Sequence, residues 1–529
     1  MKFSLRGIFS ILLLASGLVI LDASADNRSC PTENSFCPDE AQCNDNCTGD
    51  VFGKTHFSLR PQDLNGARKL VGVKDKIHLY GKEEFYGVAS VGLMYQQTFS
   101  RDNHSLGKWF SFNSASNSNG TSCMTYGNAC DGTFDIYGAN FGTTASGTVC
   151  FDPVIRNFIA DFDFWMGWDE FICGLWTRLD IPVNYTKWDL RLCDSSTAGT
   201  TTFTAGFNNP TTSGTCDALV DLKAGWAGSS FCSAPALKCG KICGAQKDTQ
   251  VAAIHFDLGY DFIKRERGHV AASLHFVAPT GTRPSDEFLF NAVSGPQRMW
   301  QIGATVDAGY QLWENCDGDQ RLTAYLDAVV THLFGAKQNR LFGLLVNGQS
   351  SPGSSWLLLK QFNAAGEVIG LERAANLLCC CSKIEAGVMA DVTLMLQYDC
   401  GCFSTGLGWN FWMRSREKVK ELIGCSLESG NYGIKGDSPY NTNTTQSKAT
   451  IGKCGSTDAT PMYLKNTQID ICPAIHPSAF SNKIFGYFGY NWKDCDWQPF
   501  VAVEGGVEFG QDNRAANQWE VMLKGGVAF

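Results

Sequence analysis

The chain has 529 residues, a formal net charge of -9, only 18% charged residues, and 64 aromatics drawn from 35 Phe, 14 Trp and 15 Tyr. An acidic balance of this size speaks against nucleic acid or anionic headgroups as partners. Mean hydropathy is -0.13, and no apolar run after the N-terminus is long enough for a spanning helix, which excludes a helical membrane protein.

In chain order, Lys2 and Arg6 precede an apolar run over 8–21, and Ala23-Ser24-Ala25 supplies a small-residue cleavage site. This is the pattern of a secretory signal peptide over 1–25, too short for a membrane anchor. Residues 26–84 have little apolar periodicity and carry Cys30, Cys37, Cys43 and Cys47. They read as a small cysteine-containing periplasmic segment or as a plug for whatever follows.

From residue 85 the pattern changes to period-two alternation, in which successive side chains take opposite faces of a strand. It predicts twelve strands over 85–99, 157–168, 171–185, 251–262, 270–278, 300–312, 322–334, 384–398, 403–413, 483–492, 499–509 and 519–529. Phe158, Ala160, Phe162 and Phe164 oppose Asp161 and Asp163, and Ile384, Val388, Val392 and Leu396 oppose Glu385 and Asp391. The segment 483–492 is the weakest, with aromatics on both faces. Connections between these strands run long, short, long, short without exception. The short ones centre on 169–170, 265–268, 317–318, 401 and 493–497. The long ones cover 100–156, 186–250, 279–299, 335–383, 414–482 and a shorter 510–518.

Alternate short turns and long loops, an even strand count and spanning length predict an all-β, antiparallel up-and-down barrel of about 12 strands over 85–529, with periplasmic turns and extracellular loops. Closure removes strand edges that lipid cannot satisfy. The barrel resembles porin-type bacterial outer-membrane proteins, and the terminal strand ending on Phe529 is similar to the assembly signal of that class. The cysteine load resembles the cysteine-rich major outer-membrane proteins of chlamydia-like intracellular bacteria. That resemblance implies an outer-membrane pore, contact with the lipid bilayer and the barrel-assembly machinery, and an envelope-stiffening role through disulfides.

Twenty-three cysteines in an exported chain point to an oxidising compartment, and the odd count leaves at least one free or paired to another chain. Disulfide candidates are Cys30, Cys37, Cys43, Cys47, Cys123, Cys130, Cys150, Cys193, Cys216, Cys232, Cys239 and Cys243. Crosslinks within the loops are the first expectation. Linkage to another copy or to an envelope protein, through Cys316, Cys400, Cys402 and Cys495, is the alternative. No CxxC pair or histidine set suggests a metal, and no cofactor is expected.

The inward parity holds Asp161, Asp163, Asp180, Asp257, Asp261, Asp307, Asp327, Glu385, Asp391, Glu504, Glu508 and Glu520, against Arg178, Arg321, Arg414 and Lys524. An acidic lining favours cations, so a porin-like channel for small polar solutes or cations is expected, unless the charges pair across strands in a filled barrel. The alternative is a surface structural or adhesin barrel with little transport. His255 and His275 lie near Asp257 and Asp261, but no G-x-S-x-G or H-E-x-x-H motif occurs, so no enzyme is expected.

Overall fold

A computed structural model describes residues 35–36, 52–99, 106–112, 122–210, 213–493, 497–511 and 514–529. The signal segment 1–25 and Cys30, Cys37, Cys43, Cys47 and Cys495 lie outside them. The wall is built from β1 (Tyr86–Thr98), β2 (Val154–Gly167), β3 (Leu175–Asp189), β4 (Ile254–Arg265), β5 (Gly268–Ala278) and β6 (Gln301–Glu314). It continues with β7 (Gln320–Leu333), β8 (Gly387–Cys400), β9 (Phe403–Arg414), β10 (Ala479–Asn491), β11 (Gln498–Gly510) and β12 (Gln518–Ala528).

Each strand pairs antiparallel with its sequence neighbours, and β12 returns to β1 with Val88 opposite Ala528 and Thr98 opposite Gln518. Phe529 extends that ladder, exchanging both backbone hydrogen bonds with Gly87 at 2.9 and 3.0 Å. The sheet is therefore a closed twelve-stranded barrel. One irregularity falls beside β3. Its lower half pairs with β4, and its upper half with Gln246–Val251, a segment separated from β4 by Ala252 and Ala253.

The outer face is apolar all round: Leu93, Phe162, Leu258, Leu274, Val306, Leu394, Leu407, Ile484, Val503 and Leu523 are each 40% exposed or more. Water would not tolerate so continuous an apolar belt, whereas a hydrocarbon phase removes its cost. The opposite parity faces inward and is polar and buried.

Alternation in the sequence carries β8 three residues too far. Gly387 adopts φ +73, a left-handed turn that takes the chain out of the wall, and Cys379–Glu385 pairs instead with Ala336–Leu341 and Lys418–Ile423 in a separate sheet. Glu385 thus lies beyond the barrel, paired with Lys420 at 3.1 Å, and does not line the lumen.

The long loops fold together into a cap over one end of the barrel. Its core buries Trp109, Phe110, Phe151, Trp226, Phe342 and Trp356. Disulfides Cys130–Cys454, Cys239–Cys379 and Cys380–Cys425 tie different loops to each other, while Cys123–Cys150 and Cys216–Cys232 close shorter spans. Cys381 and Cys472 are also disulfide-bonded. The expectation fails at Cys193 and Cys243, which are exposed free thiols, as are Cys173, Cys316 and Cys400.

Leu523 lies midway along β12 on the outer face. Leu523→Arg should cost about 2–4 kcal/mol in refolding titrations into lipid vesicles, where the same change on a water-exposed surface costs under about 0.5 kcal/mol.

Candidate functional site: the barrel lumen

The lumen is occupied by the chain's own segment 52–79, which is buried along nearly its whole length. It contains a short helix α1 (Gly66–Leu70), started by Asn65, whose side chain accepts a hydrogen bond from the Arg68 amide. A 3₁₀ turn follows over Lys74–Lys76. Ala67, Leu70 and Val71 pack on inward-facing Met94, Ile159, Met395, Phe485, Tyr487 and Met522. That contact explains the two aromatic faces of β10: Ile484 and Phe488 face out, while Phe485 and Tyr487 face the segment.

The bases of this segment meet the acids of the wall. Arg60 pairs with Asp391 and, at 3.3 Å, with Glu508. Arg68 Nε lies 2.6 Å from Asp161, and Lys69 Nζ 4.0 Å from Asp180. Lys74 contacts Asp307 and is 3.6 Å from Asp327. His78 Nδ1 is 2.6 Å from Asp261. In the reverse sense, Asp63 of the segment is 3.0 Å from His255 of the wall. Asn65 reaches Glu520 at 3.5 Å. These groups are almost wholly buried, Arg68 at 0% and Lys74 at 2% exposure.

Wall residues satisfy most of the remainder. Arg178 donates twice to Asp163, at 2.7 and 2.8 Å. Lys524 donates to the Arg68 carbonyl at 2.7 Å. Lys483, an inward base that the ambiguous pattern of β10 concealed, sits 2.6 Å from Glu520. Asp257 accepts from Ser273 at 2.9 Å and lies 2.8 Å from His275. Arg414 donates to Ser58 at 2.6 Å and lies 3.4 Å from Glu417. Arg321 is half-buried, opposite Asp399 on the neighbouring strand. Both carboxylate oxygens of Glu504 are buried without a hydrogen-bond partner among the described residues.

The expected acidic surplus is therefore not presented to water: Asp161, Asp180, Asp261, Asp307, Asp327, Asp391 and Glu508 all face cations or an imidazole of the segment. The void beside His78, Trp165, Trp176 and Asp257 measures about 10 Å³, room for about one water molecule. Wall residues deep in the lumen such as Asn184, His275, Gln397 and Asn410 have 0% exposure.

Two clusters invite other chemistry. His255 Nδ1 is 3.2 Å from His275 Nε2, completing a chain from Asp63 to Asp257. Both imidazoles are sealed from solvent, at 1% and 0% exposure, so they serve as wall hydrogen-bonders rather than as a base open to substrate. His78, His269 and Asp307 come together, but the two imidazoles stack at 4.4 Å and 16°, so their in-plane lone pairs cannot converge on one ion. Lys74 already occupies the carboxylate.

At the junction of lumen and cap, Glu417 takes Arg340 at 3.1 Å and Arg414 at 3.4 Å. Burial opposes its charge, but the two guanidiniums hold its carboxyl well below the usual range. His476 stacks on Trp109 at 4.6 Å. Burial, and then Arg414, push its pKa down to about 3.

No family model and no curated protein matches the chain. Solved structures similar to it include an outer membrane channel from Pseudomonas putida F1, at TM-score 0.30 and 10% identity over 84% of this chain and 96% of that one. A FadL homologue of Pseudomonas aeruginosa follows at TM-score 0.25 and 8% identity, covering 84% and 90%. An outer membrane protease from Escherichia coli gives TM-score 0.21 and 6% identity, covering 85% and 97%. Such values transfer no function to this chain.

Removing one member of a buried pair strands the other. Arg68→Ala should lower stability by about 3–5 kcal/mol in urea unfolding, and adding Asp161→Ala should restore part of the loss. The cap should weaken in acid. The folded-state pKa of His476 lies below its ordinary 6.5, so its contribution is complete above pH 6.5 and falls away toward pH 3. Glu417, also depressed, acts in the same direction at lower pH. Tryptophan fluorescence of the cap against pH should show this loss, and His476→Phe should flatten it between pH 6.5 and 4.

Proposed function

We propose that this chain is an exported outer-membrane barrel, shut at rest by its own segment 52–79, that serves as a disulfide-braced structural protein of the bacterial surface. The observation that carries this reading is the ion-pair match between that segment and the lumen wall, typified by Arg68 on Asp161. The apolar belt supports insertion in a bilayer. Loops bound to each other by Cys130–Cys454 and Cys239–Cys379 support a stiff outer surface. Phe529, bonded into the closing strand pair, is the residue on which assembly would be read.

A second reading is favoured by the ionic character of the segment's attachment. Charges can be driven by a field, at about 2.3 kcal/mol per elementary charge per 100 mV. A segment bearing Lys54, Arg60, Arg68, Lys69, Lys74 and Lys76 against Asp63 and Asp75 would then gate a channel for small polar solutes or cations.

Planar-bilayer recording separates the two. Purified protein should show no steady conductance near zero voltage, and a steady open channel there would overturn the closed reading. Openings at one polarity only would favour the gated channel, and silence at both polarities the structural protein.

A further inference from the structure

The cap sheet places three cysteines in one row. Ser122–Gly127, Ser146–Phe151 and Cys193–Thr197 are adjacent antiparallel strands, and their register sets Cys123 opposite Cys150 and Cys150 opposite Cys193. Residues directly opposite on neighbouring strands share a face, with Cα atoms about 4.5–5.5 Å apart. Cys123 and Cys150 are joined, with a Cα separation of 4.1 Å. Cys193 is a free, exposed thiol. A directly opposite antiparallel pair has a Cα spacing that a disulfide bridges without backbone movement.

We propose that these residues form a thiol–disulfide exchange site on the outer surface, in which Cys193 and Cys123 compete for Cys150. The Cys193 thiolate attacks Cys150 Sγ, a new Cys150–Cys193 bond forms, the Cys123–Cys150 bond breaks, and the electron pair leaves on Cys123 as a thiolate. The proton lost by Cys193 goes to solvent, and Cys123 takes one back. Nothing is oxidised or reduced overall, so no external oxidant is needed. Because Cys150 belongs to the middle strand, attacker and leaving group lie on opposite sides of it, as displacement at sulfur requires. The row thus holds two covalent isomers and keeps one thiol available to an incoming disulfide, either of small size or on a partner protein.

The test is peptide mapping without reductant. Native protein is held at pH 8.5, where ordinary thiols are substantially ionised, then alkylated with iodoacetamide. Both Cys123–Cys150 and Cys150–Cys193 linkages should appear. The label should fall on Cys193 and on Cys123. In Cys193→Ser only Cys123–Cys150 should remain, with Cys123 unlabelled. Native protein alkylated on Cys193 before the pH shift should behave the same way without a substitution. Label confined to Cys193 in native protein would overturn the proposal. So would equal labelling of Cys123 with and without Cys193, since another thiol would then be the attacker.

Discussion

A charge enclosed by a barrel wall must meet its counter-charge there, because water cannot solvate it and hydrocarbon lies on the other side of the strand. The wall of this protein commits many carboxylates to one lumen. Asp161, Asp180, Asp307, Asp327, Asp391 and Glu508 would repel one another if it were empty and dry. Segment 52–79 supplies Arg60, Arg68, Lys69 and Lys74 at the positions where those acids stand. Wall and segment are therefore two halves of one electrostatic unit, and the barrel interior is complete only with the segment inside.

The same segment joins lumen to cap. Phe57, in the first part of the segment, packs edge-on against Trp109 and Trp188, with ring centroids 5.4 and 6.2 Å apart, and also meets His476. Thr55 and Lys54 reach backbone carbonyls of Leu341 and Cys472, both in the cap. The loops close over the mouth as one body with its own apolar core. Their disulfides restrain long stretches of chain, each contributing about 2–4 kcal/mol in the chain-entropy account. Plug and cover are thus continuous, which is why the molecule is closed along its length rather than at a single constriction.

The wall was legible because its physics is local. Alternation at 157–168 or 519–529 reports the face of each residue directly, and turn signals such as Asp317-Gly318 report each reversal. Legibility failed where an inward residue touched protein instead of water. Phe485 and Tyr487 put aromatics on both faces of 483–492 and left its inward face unreadable, because they pack on α1. Glu385 continues the parity of Asp391, but Gly387 turns the chain away first. Cys193 and Cys243 look like any other loop cysteines, and spacing says nothing of which thiols find partners. Arg60, Arg68 and Lys74 stand in a segment without periodicity, and only the surplus of acids on the wall hinted that bases were required elsewhere.

By itself the sequence determined the class of fold, the number and direction of the strands, which face meets lipid, and that 519–529 pairs with the first strand to close the barrel. These follow from a side-chain period of two and from the lengths between runs. Tertiary structure alone decided that the lumen is filled, which base meets which acid, and which cysteines join. Those are contacts between residues tens to hundreds of positions apart, such as Arg60 with Asp391, and no local pattern encodes them.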